Sequence, residues 1–187
     1  MVLALAWLGG MLLRGGHSGL GPEGSMFGVI TLLLAAGMAT ELLVTLQQVQ
    51  AREIAVAAIN GLPKRFRRLG RMRIQDGWRR VVIDQVVKGP KGRVFAIMVD
   101  GSTLPAVRGD RLDGLGRLIG PAKRAAQTLS KAAKAGALPR DLGMPQDAVV
   151  CPCILVVRRP LVTGERDGVL SFTAAEMPAA LGAEPQI

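Results

Sequence analysis

Residues 81–100 read VVIDQVVKGPKGRVFAIMVD, and this stretch decides the fold. Two segments, 80–88 and 93–100, are rich in Val and Ile, which favour extended strands. The Gly-Pro-Lys-Gly sequence at 89–92 between them is typical of a tight turn. The stretch therefore predicts two antiparallel strands joined as a hairpin.

The sequence on either side extends this hairpin into an α/β domain. The predicted elements are helices at 47–61 and 117–135, strands at 67–74, 80–88, 93–100, 148–157 and 168–172, and a short C-terminal helix from Thr173. A turn is expected at Asp76-Gly77, and residues 101–116 are predicted to be a loop. The order α-β-β-β-α-β-β-α favours a mixed sheet flanked by helices.

The N-terminal part of the chain has a different composition. Residues 26–46 contain one charged residue, Glu41, in an otherwise apolar or neutral run. At a rise of about 1.5 Å per residue they span roughly 31 Å, the thickness of a bilayer core. This run predicts a transmembrane helix, and the alternative is a buried core helix of a soluble protein.

Residues 1–13 are also apolar but span only about 20 Å as a helix. They are a short first membrane helix, a signal-peptide core without a charged n-region or an A-x-A site, or the continuation of a start further upstream. The first alternative is favoured. It predicts a membrane anchor at 1–48, with a helical hairpin formed by 1–14 and 26–46, followed by an α/β domain at 49–187.

Charge is strongly asymmetric along the chain. All but one of the 24 Lys and Arg residues, and 12 of the 14 Asp and Glu residues, lie beyond residue 50. Positive charge stays on the cytosolic side of a membrane, so the C-terminal domain is expected to face the cytosol from the cell membrane.

One basic cluster lies between residues 64 and 80. It consists of Lys64, Arg65, Arg67, Arg68, Arg71, Arg73, Arg79 and Arg80. Such a cluster attracts anionic lipid or a nucleic-acid phosphate backbone. Its alternative role is to enforce topology and solubility only. The chain has only four Phe, two Trp and no Tyr, which disfavours base stacking on single-stranded nucleic acid.

The two cysteines, Cys151 and Cys153, lie in an apolar run and fit reduced core thiols better than a disulfide. The single histidine, His17, lies far from them in sequence. A zinc site would lack ligands.

The predicted hairpin and the sequence segments around it resemble the nuclease-related domain (NERD) family, a branch of the PD-(D/E)xK restriction-endonuclease-like superfamily. The resemblance covers about residues 50–182. Residues 81–100 are similar to the family's Ile-Asp-His strand, Gly-Pro-x-Gly turn and Val-Phe-x-Ile-Glu-x-Lys strand. Residues 120–135 resemble its Asn-Pro-x-x-Gln helix, with Gly120 for Asn and Arg124 for Gln. The resemblance implies a restriction-endonuclease-like sheet and nuclease chemistry with Mg²⁺ or Mn²⁺.

Carried over residue by residue, the resemblance matches Glu53 to the family's helix Glu and Asp84 to its strand Asp. In the Glu-x-Lys motif, Met98 replaces the Glu and Asp100 replaces the Lys. The implied catalytic residues are Glu53, Asp84 and Asp100, with Asp84 and Asp100 as metal ligands if the chain is active. A thioether is a poor ligand for Mg²⁺, and a carboxylate cannot supply an ammonium.

These substitutions predict a catalytically degenerate domain that binds nucleic acid, anionic lipid or a protein, without a cofactor. The alternative is an active metal-dependent nuclease with a rearranged site. Asp84 has a simpler interpretation as a polar residue near a sheet end, paired with Arg79 or Arg80. Glu53 has one as a solvated or ion-paired helix residue.

Overall fold

A computed structural model of the chain describes residues 2–15, 21–101, 113–139, 142–158 and 163–182. The helices are α1 (Val2–Gly15), α2 (Gly21–Asn60), α3 (Asp113–Lys134) and α4 (Met177–Gly182), and a 3-10 turn covers Pro90–Gly92. The strands are β1 (Arg67–Asp76), β2 (Arg79–Lys88), β3 (Val94–Asp100), β4 (Val150–Val156), β5 (Gly164–Arg166) and β6 (Val169–Thr173). Two compact units are present, Met1–Gln47 and Gln48–Ile187.

The first unit contains α1 and the N-terminal part of α2, which touch through glycines. A Cβ atom added to Gly28 would lie 3.0 Å from the backbone nitrogen of Leu13 and 3.1 Å from the carbonyl oxygen of Gly9. Small residues let two helix backbones approach in this way. That α1 crosses a membrane stays a prediction, because its 14 residues span only about 21 Å.

Helix α2 contains the predicted membrane segment. Within the described residues, the part of α2 from Met26 to Asn60 is long and apolar enough to cross a membrane, with a hydropathy of 2.1. Only 6% of its most apolar window is buried, unlike the core helix of a soluble protein. The predicted helix at 47–61 is the C-terminal part of α2, which ends at Asn60.

The second unit is built on one mixed sheet with strand order β1-β2-β3-β4-β6-β5. Strands β1, β2 and β3 are antiparallel neighbours, while β4 runs parallel to both β3 and β6. This confirms the predicted α/β class and the mixed sheet. The hairpin predicted from residues 81–100 is the β2–β3 pair, joined by the turn at Pro90–Gly92.

Helices cover both faces of the sheet. The last turns of α2, through Ala51, Ala55 and Ile59, pack with α4 against the odd-numbered side chains of β3. Helix α3 packs through Ala125 and Leu129 against the even-numbered side chains of β3. Each fully buried large apolar side chain contributes about 1.5–3 kcal/mol to this core.

Several boundaries differ from the prediction. The C-terminal helix predicted from Thr173 begins at Met177, because Thr173 is the last residue of β6. Helix α3 begins at Asp113, so the predicted loop at 101–116 is shorter at its C-terminal end, and residues 102–112 lie outside the described residues. The sheet also has a strand that was not predicted, β5, whose three exposed residues pair only with β6. Residues 16–20 of the predicted link and 183–187 of the C-terminal region also lie outside the described residues.

Candidate functional site

Strand β2 is distorted at Asp84. Ile83 pairs with Met72 of β1 and Val86 pairs with Gly70, so β2 has two residues between these pairs where β1 has one. This is the geometry of a β-bulge, which turns a side chain out of the regular alternation. As a result Ile83 and Val86 both join the core beneath α3. The Asp84 carboxylate instead meets Arg52 of α2, the helix on the opposite face of the sheet.

Both oxygens of Asp84 accept hydrogen bonds from the protein. Oδ1 accepts from Arg52 Nε at 3.0 Å, and Oδ2 accepts from the backbone N–H of Val99 at 3.1 Å. The ladder between β2 and β3 ends at the Gln85–Ile97 pair, so the carboxylate provides an acceptor for β3 where the strands separate. With 7% of Asp84 exposed, these contacts compensate for its burial. The arginine partner is Arg52, 32 residues upstream, and not Arg79 or Arg80.

Asp100 lies at the end of β3 and is only 2% exposed. It shares a strand face with Met98, which packs against a buried cluster that includes Leu115 and Ala122 of α3. Its Oδ1 lies 3.8 Å from a terminal nitrogen of Arg117, also on α3. Asp84 and Asp100 are therefore approached by arginines from opposite faces of the sheet.

Glu53 is exposed on α2, where it lines a shallow groove with Val49, Val56 and Ala57. In the part of the chain that the structure describes, no three His, Cys, Asp or Glu residues are grouped to hold a metal ion. The structure thus does not bring Glu53, Asp84 and Asp100 together, and their arrangement does not fit the divalent-metal site that the resemblance implies. A catalytic role for them stays a prediction.

The basic cluster at 64–80 is exposed throughout but is not one surface. Lys64 and Arg65 lie in the turn before β1, where Arg65 is 5.4 Å from the Phe66 ring centroid. Arg68 donates to Gln85 Oε1 and to Asn60 Oδ1, both at 3.2 Å. Arg67, which pairs with Lys88 across the strands, lies at the same end of the sheet. These members of the cluster are close to helix α2 or to the end of β2.

The other four arginines lie toward the tip of the β1–β2 hairpin, the end at which the Asp76–Arg79 pair closes the turn. They are Arg71, Arg73, Arg79 and Arg80. Within the described ranges none of their side chains makes a salt bridge or hydrogen bond, so their charge is open to a ligand. We call these residues the hairpin arginines.

The β1–β2 hairpin has one apolar and one basic face. Met72 and Ile74 are buried beneath α3, while the alternating Arg71 and Arg73 are exposed on the other side. Arg80 pairs with Gln75, and directly paired side chains share a face, so Arg80 lies on the same side as Arg73. Arg71, Arg73 and Arg80 therefore form the basic face.

A tryptophan occupies the tip of this hairpin. Asp76 and Arg79 form the closing pair, leaving Gly77 and Trp78 as the turn, with Gly77 at a φ of 59°. Trp78 is fully exposed, at 101% of its reference area. Sequence reasoning identified the turn and the arginines but missed Trp78. The signal was the aromatic residue directly after the turn glycine and directly before two arginines.

The thiols are not activated. Burial raises the pKa of Cys151, with Arg93 opposing part of the effect, and burial raises the pKa of Cys153 well above its ordinary value. A thiolate is the reactive form of cysteine, so neither side chain is poised as a nucleophile at neutral pH. Both cysteines are free in the structure, with Cys153 buried and Cys151 partly exposed.

Comparison of the chain with protein-family models, with curated proteins and with solved structures gives no match. Functional inference for this protein therefore rests on its own residues.

Proposed function

We propose that this protein is a membrane-anchored basic domain that binds an anionic ligand through the hairpin arginines and does not hydrolyse it. The observation that carries the proposal is the absence of protein partners for Arg71, Arg73, Arg79 and Arg80 within the described residues. Guanidinium groups bind phosphate oxygens through paired hydrogen bonds, and an exposed group retains all its donors for that purpose.

The anchor is part of the proposal. The apolar part of α2 spans the bilayer, α1 accompanies it as the first helix of a hairpin, and the second unit faces the cytosol. The support is the length and exposure of α2, together with the excess of basic residues beyond residue 50. Covalent attachment of a domain to a membrane segment raises the local concentration of lipid around that domain.

We also propose that the domain is a degenerate nuclease-related domain with a restriction-endonuclease-like fold. The observed order from the end of α2 through β1, β2, β3, α3 and β4 is the order on which the resemblance rests. Loss of catalysis is supported by Met98 at a ligand position and by the engagement of Asp84 with Arg52 and Val99.

Binding is tested with the full chain in a non-ionic detergent on a heparin column, where the salt concentration needed for elution measures affinity for a polyanion. The variant Arg73→Glu with Arg80→Glu is expected to elute at clearly lower salt, because each basic residue near an anionic surface contributes about 1 kcal/mol. The matched control, Lys131→Glu with Lys134→Glu, makes the same charge change on exposed residues of α3. Equal losses in the two variants would show that net charge alone determines binding and would contradict the proposal.

The non-catalytic part has a separate test. The full chain is incubated with duplex DNA and Mg²⁺ or Mn²⁺, beside Asp84→Asn and the exposed-residue control Asp147→Asn. We expect no cleavage that depends on Asp84. Metal-dependent cleavage lost in Asp84→Asn and retained in Asp147→Asn would establish the active nuclease instead.

A further inference from the structure

We propose that the distal half of the β1–β2 hairpin is a membrane-docking element, in which Trp78 enters the headgroup region of an anionic bilayer and the hairpin arginines contact lipid phosphates. This inference rests on the proposed function and names its ligand, an anionic lipid surface.

The first support is the exposure of Trp78. It is 101% exposed, whereas the other exposed large apolar side chains described in the second unit, Val49, Ile54 and Val149, are 43–65% exposed. A fully exposed indole contributes nothing to the core of its own domain. Because the indole combines an apolar ring with one N–H donor, Trp is enriched where membrane meets water.

The second support is the charge around the tip. Four arginines lie within eight residues of Trp78, and the nearest acid, Asp76, accepts a hydrogen bond from the Thr128 hydroxyl at 3.1 Å. Asp76 is thus held by α3 and is not paired with an arginine in the described structure. An aromatic tip surrounded by unpaired cations complements a surface of anionic headgroups over an apolar interior.

The third support is the shape of the hairpin. Strand β2 pairs with β3 only from Gln85 to Lys88, so residues 79–83 pair with β1 alone. At about 3.3 Å per residue this distal half extends roughly 17 Å along the strand. Contacts of Met72 and Ile74 with the core beneath α3 fix it in place. A hairpin that is ordered before binding loses little conformational freedom on docking.

Lipid is favoured over nucleic acid by the same observations. Single-stranded nucleic acid needs several aromatic rings in succession, and the described second unit exposes only Trp78 among its Trp and Phe residues. The chain also carries its own candidate membrane helix, which in the proposed topology attaches the domain to a lipid bilayer.

The composition of the chain allows a direct test, because Trp7 and Trp78 are its only two tryptophans. In full-length Trp7→Phe, all indole fluorescence comes from Trp78. This variant is reconstituted into vesicles of phosphatidylcholine alone and of equimolar phosphatidylcholine and phosphatidylglycerol. In the anionic vesicles we expect Trp78 emission to shift to shorter wavelength and to be quenched by lipids with brominated acyl chains.

Charge dependence provides the matched comparison in the same Trp7→Phe background. Arg73→Glu with Arg80→Glu is expected to return emission and quenching to the values in phosphatidylcholine, whereas Lys131→Glu with Lys134→Glu leaves them unchanged. Raising salt from about 0.1 M to about 1 M reduces the Debye length from roughly 10 Å to 3 Å, so quenching should fall over that range. Circular dichroism establishes that both variants are folded.

Emission that stays at the wavelength of water-exposed indole in anionic vesicles would overturn the proposal. So would a Trp78 shift that appears only when duplex or single-stranded nucleic acid is added to the protein in non-ionic detergent. If the heparin test succeeds and Trp78 remains in water, the docking element is wrong while the anion-binding function stands. If both fail, the function is wrong as well.

Discussion

At the scale of single residues, Asp84 shows how a motif and a fold can use the same side chain differently. The resemblance to the nuclease-related family would make Asp84 a metal ligand, yet the bulge directs it to Arg52 and to the N–H of Val99. The partner could not be read from the sequence, because Arg52 is 32 positions away and comes close only when α2 packs on the sheet.

This role predicts that Asp84 stabilises the fold. In Asp84→Ala, the buried N–H of Val99 loses its acceptor, and an unsatisfied buried group costs about 1–3 kcal/mol. We expect the melting temperature of the full chain in detergent to fall by several degrees, measured by circular dichroism. Asp147→Ala, at an exposed position, should be neutral to within about 0.5 kcal/mol. Equal melting temperatures for Asp84→Ala and the wild type would contradict the structural role.

The cysteines give a prediction about pH. Because burial raises both thiol pKa values in the folded protein, the unfolded chain loses these protons first as pH rises. Stability linked to the thiols is therefore complete below the unfolded pKa of about 8.5 and declines above it. Above that pH, the melting temperature of the double variant Cys151→Ala with Cys153→Ala should depend less on pH than that of the wild type. An unchanged alkaline slope in that variant would assign the effect to other groups.

Alkylation separates the two thiols. Cys153 is fully buried and Cys151 is partly exposed, so maleimide should label Cys151 slowly and Cys153 only after unfolding. Mass spectrometry of labelled peptides, with the Cys151→Ala and Cys153→Ala single variants as controls, measures this order. Faster labelling of Cys153 than of Cys151 in the native protein would show that β4 is not buried as described.

At the scale of elements, the sequence predicted the helices and strands that a local residue pattern determines. The predicted strand at 93–100 agrees with β3 to one residue, since a short apolar run there places side chains alternately on two buried faces. Strand β5 was missed because Gly-Glu-Arg has no strand pattern and exists only through its pairing with β6. The bulge was missed for a similar reason, because it is a property of the register between β1 and β2.

Close approach of α1 and α2 predicts that Gly28 tolerates no side chain. In Gly28→Leu, the new Cβ would meet backbone atoms of Leu13 and Gly9, which cannot yield as a flexible side chain can. Overpacking of this kind costs about 1–3 kcal/mol. Gly37→Leu is the matched control, since a Cβ there has nothing within 4 Å.

The measurement uses a Trp78→Phe background, in which Trp7 of α1 is the only indole. Titration of the detergent-solubilised protein with sodium dodecyl sulfate should separate the helices at a lower mole fraction in Gly28→Leu than in Gly37→Leu, as reported by Trp7 emission. If both variants behave like the parent, the two helices do not depend on this contact.

At the scale of the whole molecule, the long apolar helix and the basic domain were predictable from composition, while the arrangement of the candidate site was not. The hairpin arginines were predicted because their charge is a local property of residues 64–80. The sequence could not separate them from Arg67 and Arg68, because that distinction depends on strand alternation and on contacts with α2. The candidate role of Trp78 could be recognised only from the structure, because the structure shows that its side chain is fully exposed.

Topology provides the prediction that concerns the entire chain. If α1 and α2 both cross the bilayer, the two termini lie on the cytosolic side, because the basic residues follow α2 and positive charge stays inside. Protease added outside intact cells should then spare epitope tags at either terminus and cleave a site inserted between residues 15 and 24. Cleavage of an N-terminal tag with the C-terminal tag protected would mean that α2 alone crosses. Cleavage of the C-terminal tag would reverse the orientation, and the hairpin arginines would then face the outer leaflet, where the anionic cytosolic lipids that they require are absent.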